Sequence, residues 1–218
     1  EVSDQTIVGA LVALLDDLTA YIGKIGAVDF TMQQVLACLN LAVERAKVTV
    51  GDKDVAVLLR CLYVNLAPHW RNAVLSVLVS IAAHDALPIA RQIMMLFANA
   101  KATASALDNK ASFRLMNLLL ERVLPHLPAS KVSEVLKTFL DALPSLPKHR
   151  REILLQCAAS SLPGNPFGSV LAGVLKAEGS AMPRDDCVEL ALSLCSHAGP
   201  VATVSGLTQL LKVDSANA

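Results

Sequence analysis

Leu140-Asp141-Ala142-Leu143-Pro144-Ser145-Leu146-Pro147-Lys148-His149-Arg150-Arg151-Glu152-Ile153-Leu154-Leu155 joins two apolar helical patterns through a pair of prolines. Upstream of it, Val132, Val135, Leu136, Phe139, Leu140 and Leu143 keep the i, i+3, i+4, i+7 spacing of one helix face without a miss. Pro144 and Pro147 then remove two backbone donors and end that helix, with Pro147 suited to the first turn of the next. Four basic residues follow, and an apolar helix runs to about Ser160. A helix, a tight proline turn and a second helix make one unit of a helical repeat.

The same grammar extends both ways. The sequence predicts helices over about Asp4–Ile25, from Thr31 onward, Asp54–Asn65, Trp70–Ala83, Pro88–Phe97, and from Asp108 or Asn109 to Pro125. Beyond the opening stretch it predicts Phe167–Lys176, Arg184–Ser196 and Pro200–Lys212. Thr31-Met32-Gln33-Gln34 reads as a capping box, and Pro163-Gly164-Asn165-Pro166 is the strongest loop signal. Lys47-Val48-Thr49-Val50-Gly51-Asp52 has strand-like composition but no second strand to pair with, and is read as a loop. About eleven helices in units of roughly 40 residues match the period of HEAT or armadillo repeats. The fold class is therefore all-α, an α-solenoid of two-helix repeats running through residues 1–218 as a single segment; the alternative is a globular helical bundle. The chain begins without Met and ends in Ser-Ala-Asn-Ala, and the expectation is a piece of a much longer protein.

Composition limits the function. The chain is 54% hydrophobic, 4% aromatic and 17% charged, so its interior is built from Leu, Val, Ala and Ile. Lys+Arg and Asp+Glu are both 19, which gives a net charge of zero and disfavours wrapping of nucleic acid along the chain. Cys38, Cys61, Cys157, Cys187 and Cys195 show no CxxC and lie in helical patterns, so they read as reduced, mostly buried apolar residues of an intracellular protein. No secretory leader is visible, and the apolar runs Ile7–Leu15 and Ala73–Ala83 fall short of the roughly 20 residues a membrane span needs.

No catalytic or cofactor constellation emerges, and the expectation is a non-enzyme with no cofactor and no metal. Cys187 and Cys195 are more than two helical turns apart, and His197 faces another way. Gly168-Ser169 follows a proline-rich loop instead of a strand, and Gly23-Lys24-Ile25-Gly26 lacks the phosphate-loop spacing. His69, His84, His126, His149 and His197 all fall near predicted helix ends. Asp185-Asp186 reads as an N-terminal cap.

Two features stand out as contact sites for a partner or RNA. The first is Lys148, His149, Arg150 and Arg151, where positive charge meets the positive end of a helix dipole, a conflict of about 0.3–1 kcal/mol per charge. Asp141, Glu152, an acidic residue of the next repeat, an RNA phosphate or an acidic partner would each relieve it, and an internal tie is the favoured reading. The second is Trp70 and Arg71, at a repeat turn, where packing of the Trp between repeats is favoured over exposure.

The opening stretch, from Phe139, resembles the family of very large HEAT-repeat proteins of the small-subunit processome known as HEAT repeat-containing protein 1 or U-three-snoRNA-associated protein ten. Upstream, Met95-Leu96-Phe97-Ala98-Asn99-Ala100 and Asp108-Asn109-Lys110-Ala111-Ser112-Phe113-Arg114-Leu115 resemble further family motifs. Downstream, Val188–Ser196 and Leu207–Lys212 do so in the same order, covering roughly Leu75 to Val213. Lys148 stands where the family has Glu, Glu152 where it has Leu, and Pro163-Gly164-Asn165 where it has a Leu-Gly turn. The resemblance implies a divergent member: a nucleolar, nuclear scaffold that contacts other processome subunits. Through the full-length complex, it also implies contact with the 5′ external spacer of pre-rRNA or U-three snoRNA. Such proteins support rDNA transcription and early 18S precursor cleavage, with no membrane and no small-molecule substrate. The alternative is a HEAT-type adaptor for nuclear transport or cytoskeletal partners.

Overall fold

Helix-forming apolar stripes punctuated by Pro and Gly produce helices and turns in the computed structural model, which describes residues 4–22, 24, 27–62, 68–97, 109–164, 166–176 and 182–216. The stops at Gly23 and Gly26, the third helix beyond 62, the polar stretch 99–107 and Asn165 lie outside the described residues. No β-strand is found among the described residues. The chain forms two compact units, Glu1–His126 and Leu127–Ala218.

The first unit contains α1 (Asp4–Thr19), α2 (Ala27–Ala46), α3 (Asp52–Cys61), α4 (Pro68–His84), α5 (Leu87–Arg91), α6 (Met94–Phe97) and α7 (Lys110–Val123), closed by a 3-10 turn over Leu124–His126. Helices α1, α3 and α5 adjoin in one layer, and α2, α4 and α7 in a second. Helix α4 packs against α2, α3 and α7. This explains why it is apolar nearly all round, with Val74, Leu75, Val77, Leu78 and Ile81 buried. At about 1.5–3 kcal/mol per fully buried aliphatic side chain, this helix anchors the unit.

The second unit contains α8 (Ala129–Ala142), α9 (Lys148–Ser161), α10 (Phe167–Lys176) and α11 (Arg184–Ala216), with a 3-10 turn over Leu143–Ser145. Helices α8 and α10 pack together, and α11 packs on α10 and α9. Val135, Leu136, Phe139 and Ala142 give α8 its single buried face. The proline turn is pinned from inside by buried Leu143 and Leu146. The Leu146 amide donates to the Leu143 carbonyl at 3.0 Å, and the Ser145 hydroxyl donates to the Ala142 carbonyl at 2.7 Å. Pro147 sits at the N-cap of α9, and its carbonyl accepts from the Arg150 amide at 2.9 Å.

Side-chain ties reveal the repeat period directly. On the second layer, the Ser80 hydroxyl donates to Asn40 Oδ1 at 2.9 Å and the Ser112 hydroxyl to Asn72 Oδ1 at 2.6 Å. In the second unit, the Ser193 hydroxyl donates to Glu152. These pairs lie 40, 40 and 41 residues apart. On the first layer, Arg60 pairs with Asp16 and Arg91 with Asp52, 44 and 39 apart. A hydrogen bond that recurs once per period, on equivalent helices, is the mark of stacked two-helix repeats. The fold is all-α, of HEAT-like two-helix repeats.

Several boundaries differ from the sequence reading. Helix α2 starts at Ala27, so Thr31 lies inside it and does not cap it. The predicted Pro88–Phe97 helix is two short helices separated by a turn at Gln92 and Ile93. Residues 47–51 are irregular, as read, with Lys47 at φ 50 turning the chain out of α2. Asn109, one of the two caps proposed, closes the N-terminus of α7, its Oδ1 accepting from the Ala111 amide at 2.8 Å. The last two predicted helices run on as α11, but Gly199, at φ 79 and ψ 170, breaks the helix just before Pro200. By length and composition, Arg184–Thr208 is apolar enough to cross a membrane, at mean hydropathy 1.3. The break at Gly199 leaves a straight segment of about 15 residues before it, about 22 Å, against a hydrocarbon core of about 30 Å.

Candidate functional site

Four consecutive residues on a helix point in four directions, about 100° apart, and the basic block divides accordingly. Lys148 and His149 are exposed, while Arg150 is buried and its Nε donates to His149 Nε2 at 3.0 Å. Arg151 is the most constrained, with its side chain 11% exposed. Its Nε donates to the Leu146 carbonyl at 2.9 Å and one terminal nitrogen to the Pro144 carbonyl at 3.1 Å. The other donates to Asp186 Oδ2 at 3.2 Å. One guanidinium therefore locks the proline turn to α9 and ties both to α11, using the planar fork that distinguishes Arg from Lys.

Asp186 is the residue that sequence reasoning missed as a site residue. It lies in the first turn of α11, where the Pro183 carbonyl accepts from the Cys187 amide at 3.1 Å. The Asp186 carboxylate instead accepts from both Lys148 and Arg151. The hydrogen bond from Lys148 is the largest influence on this carboxyl; with the two positive charges, it outweighs desolvation and holds the group below its ordinary range. The dipole conflict at the start of α9 is thus relieved by an acidic residue of the following repeat, one of the alternatives the sequence offered. The discoverable signal was the period: Asp186 lies 38 residues after Lys148.

A cleft of about 280 Å³ opens over this cluster between α9 and α11. Its walls carry two cations, Lys148 and Arg151, and three carboxylates, Glu152, Asp186 and Glu189, together with His149. With His149 neutral, the sum is one negative charge. Both cations are engaged by Asp186. Glu152 is held by the Ser193 hydroxyl and by Gln156 Nε2 at 3.2 Å.

The second candidate pair is in the other unit. Trp70, 3% exposed, is packed as expected, with the His69 ring 5.0 Å away and tilted by 39°. Arg71 is half-buried and engaged within the fold. Among the described residues, no group of three or more His, Cys, Asp or Glu is placed to hold a metal ion. The five cysteines are free; Cys61, Cys157 and Cys187 are buried, Cys195 is half-buried and Cys38 is exposed. Burial, with Asp16 nearby, pushes the Cys61 thiol up to about 12, which makes it inert as a nucleophile. All five histidines are exposed.

Packed helix pairs tied at a 40-residue period, with polar contact surfaces, define a HEAT-type helical-repeat protein. The chain is 25% identical to HEAT repeat-containing protein 1 of Homo sapiens over 65% of its length, and 26% identical to that of Danio rerio over 66%. It is 25% identical to that of Macaca fascicularis over 67%. The chain is thus similar, at a distance, to HEAT repeat-containing protein 1 over about two thirds of its length. The chain spans 8% of the human and Danio rerio relatives and 18% of the Macaca fascicularis one. No family model matches it. No solved structure matches it significantly.

Proposed function

We propose that this chain is part of a non-catalytic scaffold in nucleolar small-subunit ribosome biogenesis, acting through protein contacts with processome subunits. The observation that carries the proposal is the similarity to HEAT repeat-containing protein 1 over about two thirds of the chain. The role is the one that the resemblance of the proline-turn and flanking motifs implies. The net negative cleft over the basic block supports protein contact at this surface over direct binding of RNA. Pre-rRNA and U-three snoRNA then associate through the complete assembly, in support of pre-18S processing and rDNA transcription.

Affinity purification of the tagged full-length protein tests this. Processome subunits and 5′ external spacer RNA are the expected recovery, with nucleolar location by imaging. Recovery of transport factors or tubulin in their place would overturn the proposal in favour of a transport or cytoskeletal adaptor.

A further inference from the structure

The cleft over Lys148 and Asp186 is half of a longer feature. A second hollow, of about 300 Å³, lies along the same two helices, lined by Gln156, Ala159 and Ser160 of α9 and by Leu194, Ala198 and Ala202 of α11. Phe167 and His197 complete it. The α9 residues Lys148, Glu152, Gln156 and Ser160 are spaced by four, so they form one ridge about 18 Å long, roughly three turns of helix. Between the hollows, Gln156 Nε2, Glu152 Oε1 and the Ser193 hydroxyl form a hydrogen-bonded saddle.

The two hollows differ in chemistry. The first has exposed Glu189 and Glu152 on its rim, an excess of negative charge, and both of its cations committed to Asp186. The second carries no Asp, Glu, Lys or Arg: Ala159, Ala198 and Ala202 line it with the buried Phe167 and Leu194, and Gln156, Ser160 and His197 supply its polar groups. At this size it accepts one apolar side chain, being at the lower limit for a small-molecule pocket. About eight residues along α9, roughly 12 Å, separate the two.

We propose that this groove receives a short amphipathic helix of a partner protein. A Lys or Arg of that helix reaches Glu189 and Glu152, and a Leu or Met about two turns further on fills the alanine hollow. Charge complementarity selects this occupant over nucleic acid, whose phosphates would meet Glu152 and Glu189 without a free cation. Helix-in-groove recognition uses this pairing of an apolar anchor with a charged flank. The inference rests on the reading of the chain as a protein-contact scaffold and adds the chemistry of the partner.

The test uses the 218-residue chain and three fluorescein-labelled helical peptides, each about four turns long and built on Ala and Gln. The first carries a single Lys in its opening turn and a single Leu two turns further on. The second replaces that Lys by Glu, and the third replaces that Leu by Ala. Fluorescence anisotropy should show the first binding at least tenfold more tightly than either control. Glu189→Lys, at an exposed position, should weaken the first peptide at least fivefold and strengthen the Glu peptide, with an unchanged melting curve. Equal binding of all three peptides, no binding at all, or indifference to Glu189→Lys would each overturn the proposal. Failure of the peptide panel alongside recovery of processome subunits removes the groove alone. Peptide selectivity without processome recovery removes only the cellular assignment.

Discussion

At the residue scale, Arg151 does more for the fold than its exposed neighbour Lys148. Arg151→Ala removes the donors to Pro144, Leu146 and Asp186 together. Charged hydrogen bonds of this kind carry about 1.5–3 kcal/mol each and are not additive. A loss of about 3 kcal/mol on denaturant unfolding is expected, with Lys148→Ala costing far less; equal effects of the two would argue against the tie. Asp186 sets a pH signature. Its folded carboxyl titrates below the unfolded one, so its contribution is complete above the ordinary Asp value of about 3.9 and is lost as pH falls through the folded value. The melting temperatures of the wild type and Asp186→Asn should therefore differ at about pH 6 and converge in acid; a gap that persists or widens in acid would contradict this role. The sequence displayed the positive block and its need for a counter-ion. It did not single out Asp186, because an acidic residue in the first turn of a helix has a sufficient local explanation. Nor did it separate buried Arg150 from exposed His149, since four adjacent basic residues mark no particular face.

At the element scale, the helices were legible wherever one apolar stripe met a proline or glycine, as in α8, α9 and α10. Their ends were less so. Thr31 has the residue types of a cap, yet α2 begins at Ala27, a turn earlier, with Val28 already buried. The close approach of α10 and α11 was also invisible, since it is a property of two distant segments. A Cβ on Gly206 would stand 2.6 and 2.8 Å from atoms of the buried Phe167 ring. Helix propensity favours Ala over Gly by about 1 kcal/mol, whereas overpacking costs about 1–3 kcal/mol. Gly206→Ala should therefore destabilise the protein. Gly9, inside α1, has nothing within 4 Å of its missing Cβ, so Gly9→Ala should stabilise by up to about 1 kcal/mol. Thermal melts of the two variants should shift in opposite directions. Stabilisation by Gly206→Ala would show that Phe167 yields.

At the scale of the whole molecule, the period of about 40 residues was readable from the spacing of helices and turns. The rungs that enforce it were not, because Ser, Asn and Glu at helical positions are ordinary solvent-facing residues until a neighbour is stacked on them. Ser80 is one such rung: buried at 8% exposure, it bridges Asn40 and Glu44 of α2 from its place on α4. In a stack where each repeat touches only its neighbours, stability is a sum of local terms and a lost rung is felt locally. Ser80→Ala removes this bridge, while the exposed Glu44 keeps its hydrogen bond from Asn40 Nδ2 at 3.0 Å, so the cost is about 0.5–1.5 kcal/mol. Hydrogen exchange should show faster opening of α2 and α4 in this variant, while the amides of α9 and α11, further along the chain, keep their protection. A uniform loss of protection from α1 to α11 would mean that the chain opens as one cooperative body, and the description of its stability as a ladder of separable rungs would then fail.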